Sequence, residues 1–265
     1  MSPYRSGGAY GGRPRVGGYE RMGAAAAPPA YTSPLDFEAL AAWYDAADTD
    51  TITDAGSGAV SEWNDKSGNS KHLTQGTAGS RPTTGTTTIG GLNSLLFGVD
   101  FMTNASITLG AFTVFAVTSH VGAGTTQILW EHSANSASND GAYTNANLDA
   151  TVNVRRGGTR SAKNAASNWL GASAAISVHY WSGTHAAHAV RKNGAPVSIS
   201  STGGHESDAG TAEVTAALSV GARSGGSLPY AGRLGELVFV NAALSTAQIQ
   251  AEEARLAAKW GITLA

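Results

Sequence analysis

Glycoside cleavage needs two carboxyl groups roughly 5–10 Å apart across the scissile bond. A strand supplies such a pair when acidic residues alternate along it. Glu206 and Asp208 stand two apart in GGHESDAG, but the glycines there read as a loop. Glu236 is alone on its predicted strand, and Glu131 has only His132 beside it, pointing to the opposite face. No E-x-D-x-E-like run exists, so no catalytic residue is expected. Nor is there a G-x-S-x-G elbow, a phosphate loop or a dinucleotide fingerprint.

Hard cations want clustered oxygens, and Asp45, Asp48 and Asp65 offer three carboxylates for calcium. The competing reading is a structural turn. In Asp65-Lys66-Ser67-Gly68-Asn69, Asp65 accepts backbone N–H groups while Gly68 or Asn69 takes a positive φ. The dense D-x-D-x-D pattern is missing, which favours the turn; calcium apart, no cofactor is expected. His185 and His188 have an H-x-x-H spacing. On a strand or loop their rings diverge, and no third ligand accompanies them. The chain has no cysteine, which excludes disulfides, thiolate chemistry and Cys-ligated zinc.

Sugar binding asks for aromatic faces beside Asn, Asp and Gln. The loop HSANSASNDGAYTNAN, residues 132–147, has that mix, with Asn139, Asp140 and Tyr143 as candidates. Trp169 lies in a polar stretch and is expected to be exposed, whereas Trp130 and Trp181 lie on strands and are expected in the core. Arg155, Arg156, Arg160 and Lys163 form a basic cluster that suits either an acidic polysaccharide or a solvated hairpin.

The elements that would position these groups are strands. FTVFAVTS, residues 112–119, bunches aromatic and β-branched residues. Similar runs begin near Val60, Ser94, Gln127, Ala142, Thr151, Ala174, Ala187, Ala217 and Arg233, with turn residues between them. Lys192-Asn193-Gly194 reads as a hairpin turn. Strands every 10–20 or so residues with no helix between them predict an all-β, antiparallel sandwich. Ser33 caps a short helix with Pro34 at its first position. At the other end, Ser245 and Gln248 form a capping box for a helix that buries Ile249, Leu256 and Trp260 and stops at Gly261. Its charged residues Glu252, Glu253, Arg255 and Lys259 are expected to face water.

Residues 1–32 differ from the body. The first 30 hold seven glycines, four prolines and three tyrosines, too little apolar surface to offset chain entropy. Four arginines against one glutamate give that arm +3, which leaves −5 for the rest of a chain of net charge −2. Such a body gives no support to nucleic-acid binding. The arm suits a partner surface, with Tyr4, Arg5, Tyr10, Arg13, Arg15, Tyr19 and Arg21 as anchors. No window of about 18 apolar residues exists and the N-terminus lacks the apolar core of a signal peptide, so neither a membrane span nor a secretion leader is expected.

Three stretches together carry a resemblance. Trp43, Asp45, Ala46 and Asp48 match W-x-D-A-x-D; Trp63, Asp65, Ser67, Gly68 and Asn69 match W-x-D-x-S-G-N. Gly232 and Glu236, then Lys259, Trp260, Gly261 and Ile262, match a closing G-x-x-x-E and K-W-G-I, with the aromatic strand between. Residues 33–265 thus resemble concanavalin A-like lectin/glucanase (laminin-G-like) jelly rolls of bacteriophage or gene-transfer-agent virions. The resemblance implies a jelly-roll sandwich, carried as a head fibre, tail fibre or decoration protein. It also implies a homo-oligomer on a virion surface, attached to capsid or tail by the arm and displaying the sandwich to host polysaccharide.

Overall fold

The computed structural model describes residues 31–121, 126–133, 140–146, 151–165 and 169–265. In chain order its strands are β1 (Leu40–Asp45), β2 (Ile52–Asp54), β3 (Val60–Trp63), β4 (Leu73–Thr74), β5 (Thr83–Ile89) and β6 (Leu92–Phe97). Next come β7 (Met102–Leu109), β8 (Phe112–His120), β9 (Ile128–His132), β10 (Gly141–Asn145), β11 (Thr151–Arg156) and β12 (Thr159–Ala165). The last are β13 (Ala175–Trp181), β14 (Ala189–Lys192), β15 (Ala195–Pro196), β16 (Ile199–Glu206), β17 (Val214–Val220) and β18 (Gly232–Val240), followed by the helix α1 (Thr246–Trp260).

These strands make two antiparallel sheets. The smaller runs β15-β14-β13-β8-β18-β6-β5, with β1 paired to the second half of β18. The larger runs β16-β12-β11-β10-β9-β17-β7-β4-β3-β2. Tyr44, Trp63, Phe97, Trp130, Trp181 and Phe239 fill the core between them. A second apolar layer, with Phe115, Val117, Val178 and Val238, lies on the outer face of the smaller sheet beneath α1. All nine residues of β8 are therefore buried, and a strand covered on both faces shows no alternation. Asn193 (φ 48°) and Gly194 (φ 85°) turn β14 into β15, both left-handed as a two-residue hairpin of this type demands.

The all-β sandwich, the terminal helix and the short helix capped by Ser33, a single 3-10 turn over Pro34–Asp36, agree with the sequence reading, and three details differ. The strands β5, β7, β12 and β16 have too much Thr, Ser, Gly and Asn to announce themselves, and β16 includes the Gly203–Glu206 segment read as a loop. Tyr31, placed with the arm, packs on Phe37 and donates to Glu252 at 2.5 Å. Finally, Glu252 and Glu253 of α1 are fully buried rather than facing water. Arg255 takes Glu252, and Arg191 from β14 takes Glu253, so each carboxylate has a cation inside the interface. The cap at Ser245 and Gln248 forms as expected, and Gly261 ends α1 at φ 63°.

Candidate functional site

The residues that carry the resemblance converge on one buried network. Glu236 of β18 is inaccessible to solvent. Its Oε1 accepts from Trp43 Nε1 at 2.8 Å and Arg255 Nη2 at 2.5 Å. Its Oε2 accepts from Trp260 Nε1 at 2.9 Å and Lys259 Nζ at 2.7 Å. Burial alone would raise this carboxyl; Arg255 and Lys259 outweigh burial and hold it below the usual range. Lys259 continues to Asp45 at 2.6 Å, Asp45 to Lys66 at 3.2 Å, and Lys66 to Asp48 at 2.5 Å. Asp65 accepts from the backbone N–H groups of Trp43, Ser67 and Lys71 at 2.8–2.9 Å. The motif side chains thus tie β1, the turn after β3, β18 and α1 together. Asp45 and Asp48 meet lysines and Asp65 meets N–H groups, so these three do not converge on one point. Among the described residues no group of three or more His, Cys, Asp or Glu is placed to hold a metal ion.

A second buried network missed at the sequence level lies between the sheets. The rings of His185 and His188 do not diverge: both Nδ1 atoms lie 2.9 Å from Ser161 Oγ. His188 Nε2 meets His179 Nε2 at 2.8 Å, His179 Nδ1 meets Thr144 Oγ1 at 2.9 Å, and His185 Nε2 meets Ser201 Oγ at 2.9 Å. Donation running in either direction along the chain satisfies every link when all three rings are neutral, with one proton between the paired Nε2 atoms. Burial pushes His179 down to about 3. Burial, then His179, Lys163 and His185, lower His188 as well. Phe112, Trp130 and Trp181 close around His179 and His188, and Ser161, between them and the half-buried His185, is shut off from solvent.

The outer face of the larger sheet is the third feature. Strand pairing aligns Thr53, Glu62, Thr74, Thr103, Ser219, Glu131, Tyr143, Asn153 and Ala162 in one row across nine strands. Directly paired residues share a face. The adjoining row contains Met102, Val220, Trp130 and Val152, which point into the core, so this row points outward. Hydroxyl, carboxylate, phenol and amide groups follow one another along it; Thr53 and Thr74 are exposed and Glu62, Thr103 and Tyr143 half-buried, while Ser219, Glu131, Asn153 and Ala162 are buried. At its centre Arg223 stacks over the Tyr143 ring at 5.3 Å and pairs with Glu131 at 3.1 Å, while Ser224 N–H donates to Glu131 at 2.9 Å. Ser219 Oγ beside Glu131 is buried and has no hydrogen-bond partner among the described residues. Arg160 Nε donates to Asn153 Oδ1 at 2.7 Å.

Tyr143 is thus on the row, half-buried. Asp140 accepts from Gly157 N–H at 2.6 Å in the turn after β11. Asn139 and the anchors Tyr4, Arg5, Tyr10, Arg13, Arg15, Tyr19 and Arg21 lie outside the described residues. Trp169 corrects an expectation: it is 6% exposed, packs in the central core, and donates Nε1 to the Asn145 carbonyl. A large ring beside Leu170 finds its place inside despite polar neighbours. Trp130 and Trp181 are core residues, as read. The basic cluster divides by strand alternation. Arg156 turns inward onto the carbonyls of Leu109, Gly110, Gly141 and Ala212, and Lys163 onto that of His188. Arg155 and Arg160, directly paired, lie on the outer face. A cleft of about 570 Å³ elsewhere, lined by Thr84, Thr87 and Asn93 among others, has no aromatic ring.

No protein-family model matches the chain, and no curated protein matches it. Its fold is similar to domain 4 of AbnA, a GH43 extracellular arabinanase from Geobacillus stearothermophilus, solved with arabinotriose. The TM-score is 0.58 at 13% identity, covering 80% of this chain and 96% of that one. It is also similar to the binding domain of Paraclostridial Mosquitocidal Protein 1 (TM-score 0.53, 10% identity, 83% of this chain and 52% of that one). A third likeness is to Trypanosoma rangeli sialidase in complex with sialic acid (0.51, 13%, 83% of this chain). The chain spans 33% of that sialidase. These likenesses establish an antiparallel β-sandwich of the jelly-roll kind.

Proposed function

We propose that the protein is a saccharide-binding sandwich without hydrolytic activity, and that it lays a sugar chain along the outer face of the larger sheet at Tyr143. The observation that carries this is the registered row. It sets exposed or half-buried Thr53, Glu62, Thr74 and Thr103 in line with the half-buried Tyr143 ring at strand spacing, with the buried Ser219, Glu131 and Asn153 holding that ring in place, and hydroxyls and a carboxylate beside an aromatic face are what a sugar's alternating hydroxyls and apolar faces require. A solved domain of similar fold and nearly equal extent holds arabinotriose, which supports the reading.

The row also argues for binding over cleavage. Its two carboxylates, Glu62 and Glu131, are separated by four strand steps. At about 4.8 Å per step that is about 19 Å, far beyond the roughly 5–10 Å a glycosidase pair spans. Glu131 is also engaged by Arg223.

The proposal extends to place. The resemblance to virion domains and the basic, glycine-rich composition of residues 1–32 support attachment to a capsid or tail, as a homo-oligomer facing host polysaccharide. The direct test incubates the full-length protein with a glycan array and with host-surface polysaccharide, then sizes the sugar. Saturable binding with unchanged sugar length is expected. Shortened sugar would make the protein an enzyme, and no binding would leave it a decoration protein. Chelating divalent cations is expected to leave binding unchanged, because Asp45 and Asp48 already meet lysines and Asp65 meets N–H groups. Loss on chelation would restore the three as calcium ligands.

A further inference from the structure

The row is closed at its centre. Thr103 and Tyr143 are half-buried, but Ser219 and Glu131, which lie between them, are shut off from solvent. Glu131 is covered by the loop after β17. In that loop the Arg223 N–H donates to the Ser227 carbonyl and the Gly226 N–H to the Arg223 carbonyl, both at 2.9 Å, so residues 223–227 fold into a compact tip. Every hydrogen bond to the Glu131 side chain comes from this tip: Arg223 Nε at 3.3 Å, Arg223 Nη2 at 3.1 Å and the Ser224 N–H at 2.9 Å.

The tip makes at this point the contacts a sugar would make. The Arg223 guanidinium lies over the Tyr143 ring, 5.3 Å from its centre, where the apolar face of a sugar would stack. Its N–H donors and that of Ser224 take the lone pairs of Glu131 that sugar hydroxyls would use. Next in the row, Ser219 Oγ is buried without a hydrogen-bond partner among the described residues. The closed tip leaves that group unmet, and a sugar hydroxyl in its place would satisfy it. The Arg223 side chain keeps 21% of its surface exposed and belongs to neither apolar cluster, so its departure opens no hole in the core.

We propose that Arg223 is a built-in competitor: with no sugar bound, the tip occupies the saccharide site at Tyr143 and Glu131, and the sugar binds by displacing it. This rests on the saccharide-binding reading and adds a regulation to that site. The apparent affinity is then the intrinsic affinity reduced by the fraction of molecules whose tip is open. Opening joins the exposed part of the row, Thr53 to Thr103, to Tyr143 through Ser219 and Glu131. The opposite role, in which Arg223 is itself a sugar contact, gives the opposite sign when its side chain is removed.

The test compares the full-length protein with its Arg223→Ala variant on immobilised linear arabinan, on dextran and on a glycan array. Arg223→Ala is expected to bind about three- to tenfold more tightly. Binding by the variant where the unaltered protein shows none is the extreme of the same result. Arg223→Ala leaves Glu131 without its cation. If circular dichroism shows that this variant does not fold, Arg223→Gln combined with Glu131→Gln takes its place, because it removes both charges together, and the same gain is expected. Unchanged or weaker binding by the folded variant overturns the built-in competitor and leaves saccharide binding standing. Failure of the unaltered protein and of the folded variant on every sugar overturns both proposals together.

Discussion

Tyr143 lies between Glu131 and Asn153 on the outward row, with one ring face under Arg223. It is half-buried and lies outside the core cluster, so its loss should separate binding from folding. Tyr143→Ala is expected to weaken saccharide binding roughly tenfold or more and to leave the melting temperature nearly unchanged; titration calorimetry and a thermal scan check both halves. The histidines make a different prediction. Burial pushes His179 to about 3 and His132 to about 4, against about 6.5 in an unfolded chain. Below pH 6.5 or so the unfolded chain takes up protons that the folded rings refuse, so stability falls as pH falls toward those values. A melting temperature that declines between about pH 6.5 and 5, before ordinary carboxylates titrate, is the expected signature; a flat profile there would contradict it. Tyr143 was legible in the sequence because it stands among Asn and Asp residues, the pairing of ring and polar group that sugar binding asks for. The histidine chain was not, because Ser161 and Thr144 come from strands that only the fold brings beside His179 and His188.

At the scale of elements, α1 is held by charge as much as by apolar contact. Glu236 binds two tryptophan N–H groups and two cations from β1 and α1. Glu236→Ala leaves Arg255 and Lys259 without that partner in a buried setting and is expected to cost about 3–5 kcal/mol, measured by denaturant unfolding. Saccharide binding by the folded fraction should persist, since the network lies on the opposite side of the sandwich from the row. Gly235→Ala tests the same interface sterically. A Cβ there would lie 2.8–3.1 Å from the Trp260 ring, and overpacking of this kind costs roughly 1–3 kcal/mol. The helix itself was legible from Ser245, Gln248 and Gly261. The burial of Glu252 and Glu253 was not, because helical spacing shows which residues share a face but not that Arg191 of β14 lies beneath one of them. The same limit hid β5 and β16: a strand of Thr, Ser and Gly has no apolar alternation, and neighbouring strands alone make it a strand.

At the scale of the whole molecule, the tryptophan and carboxylate motifs at the two ends of the chain secure the sandwich, while the surface proposed for function has no such motif. That explains why the fold could be read from Trp43, Trp63, Glu236 and Trp260, whereas the row across nine strands needed the register. A surface assembled from one residue per strand has no local spacing to detect. If residues 1–30 only attach the sandwich to a particle, a chain lacking them should bind saccharide unchanged yet fail to enter the particle. Normal incorporation of the truncated chain would refute the anchor.

The most direct measurement is binding of full-length protein and its Tyr143→Ala variant to host-surface polysaccharide, with sugar length followed throughout. Saturable binding by the full-length protein, intact sugar and a loss of roughly tenfold or more in the variant are expected. Equal binding by the two proteins, or sugar cut to shorter chains, would contradict a saccharide-binding face centred on Tyr143.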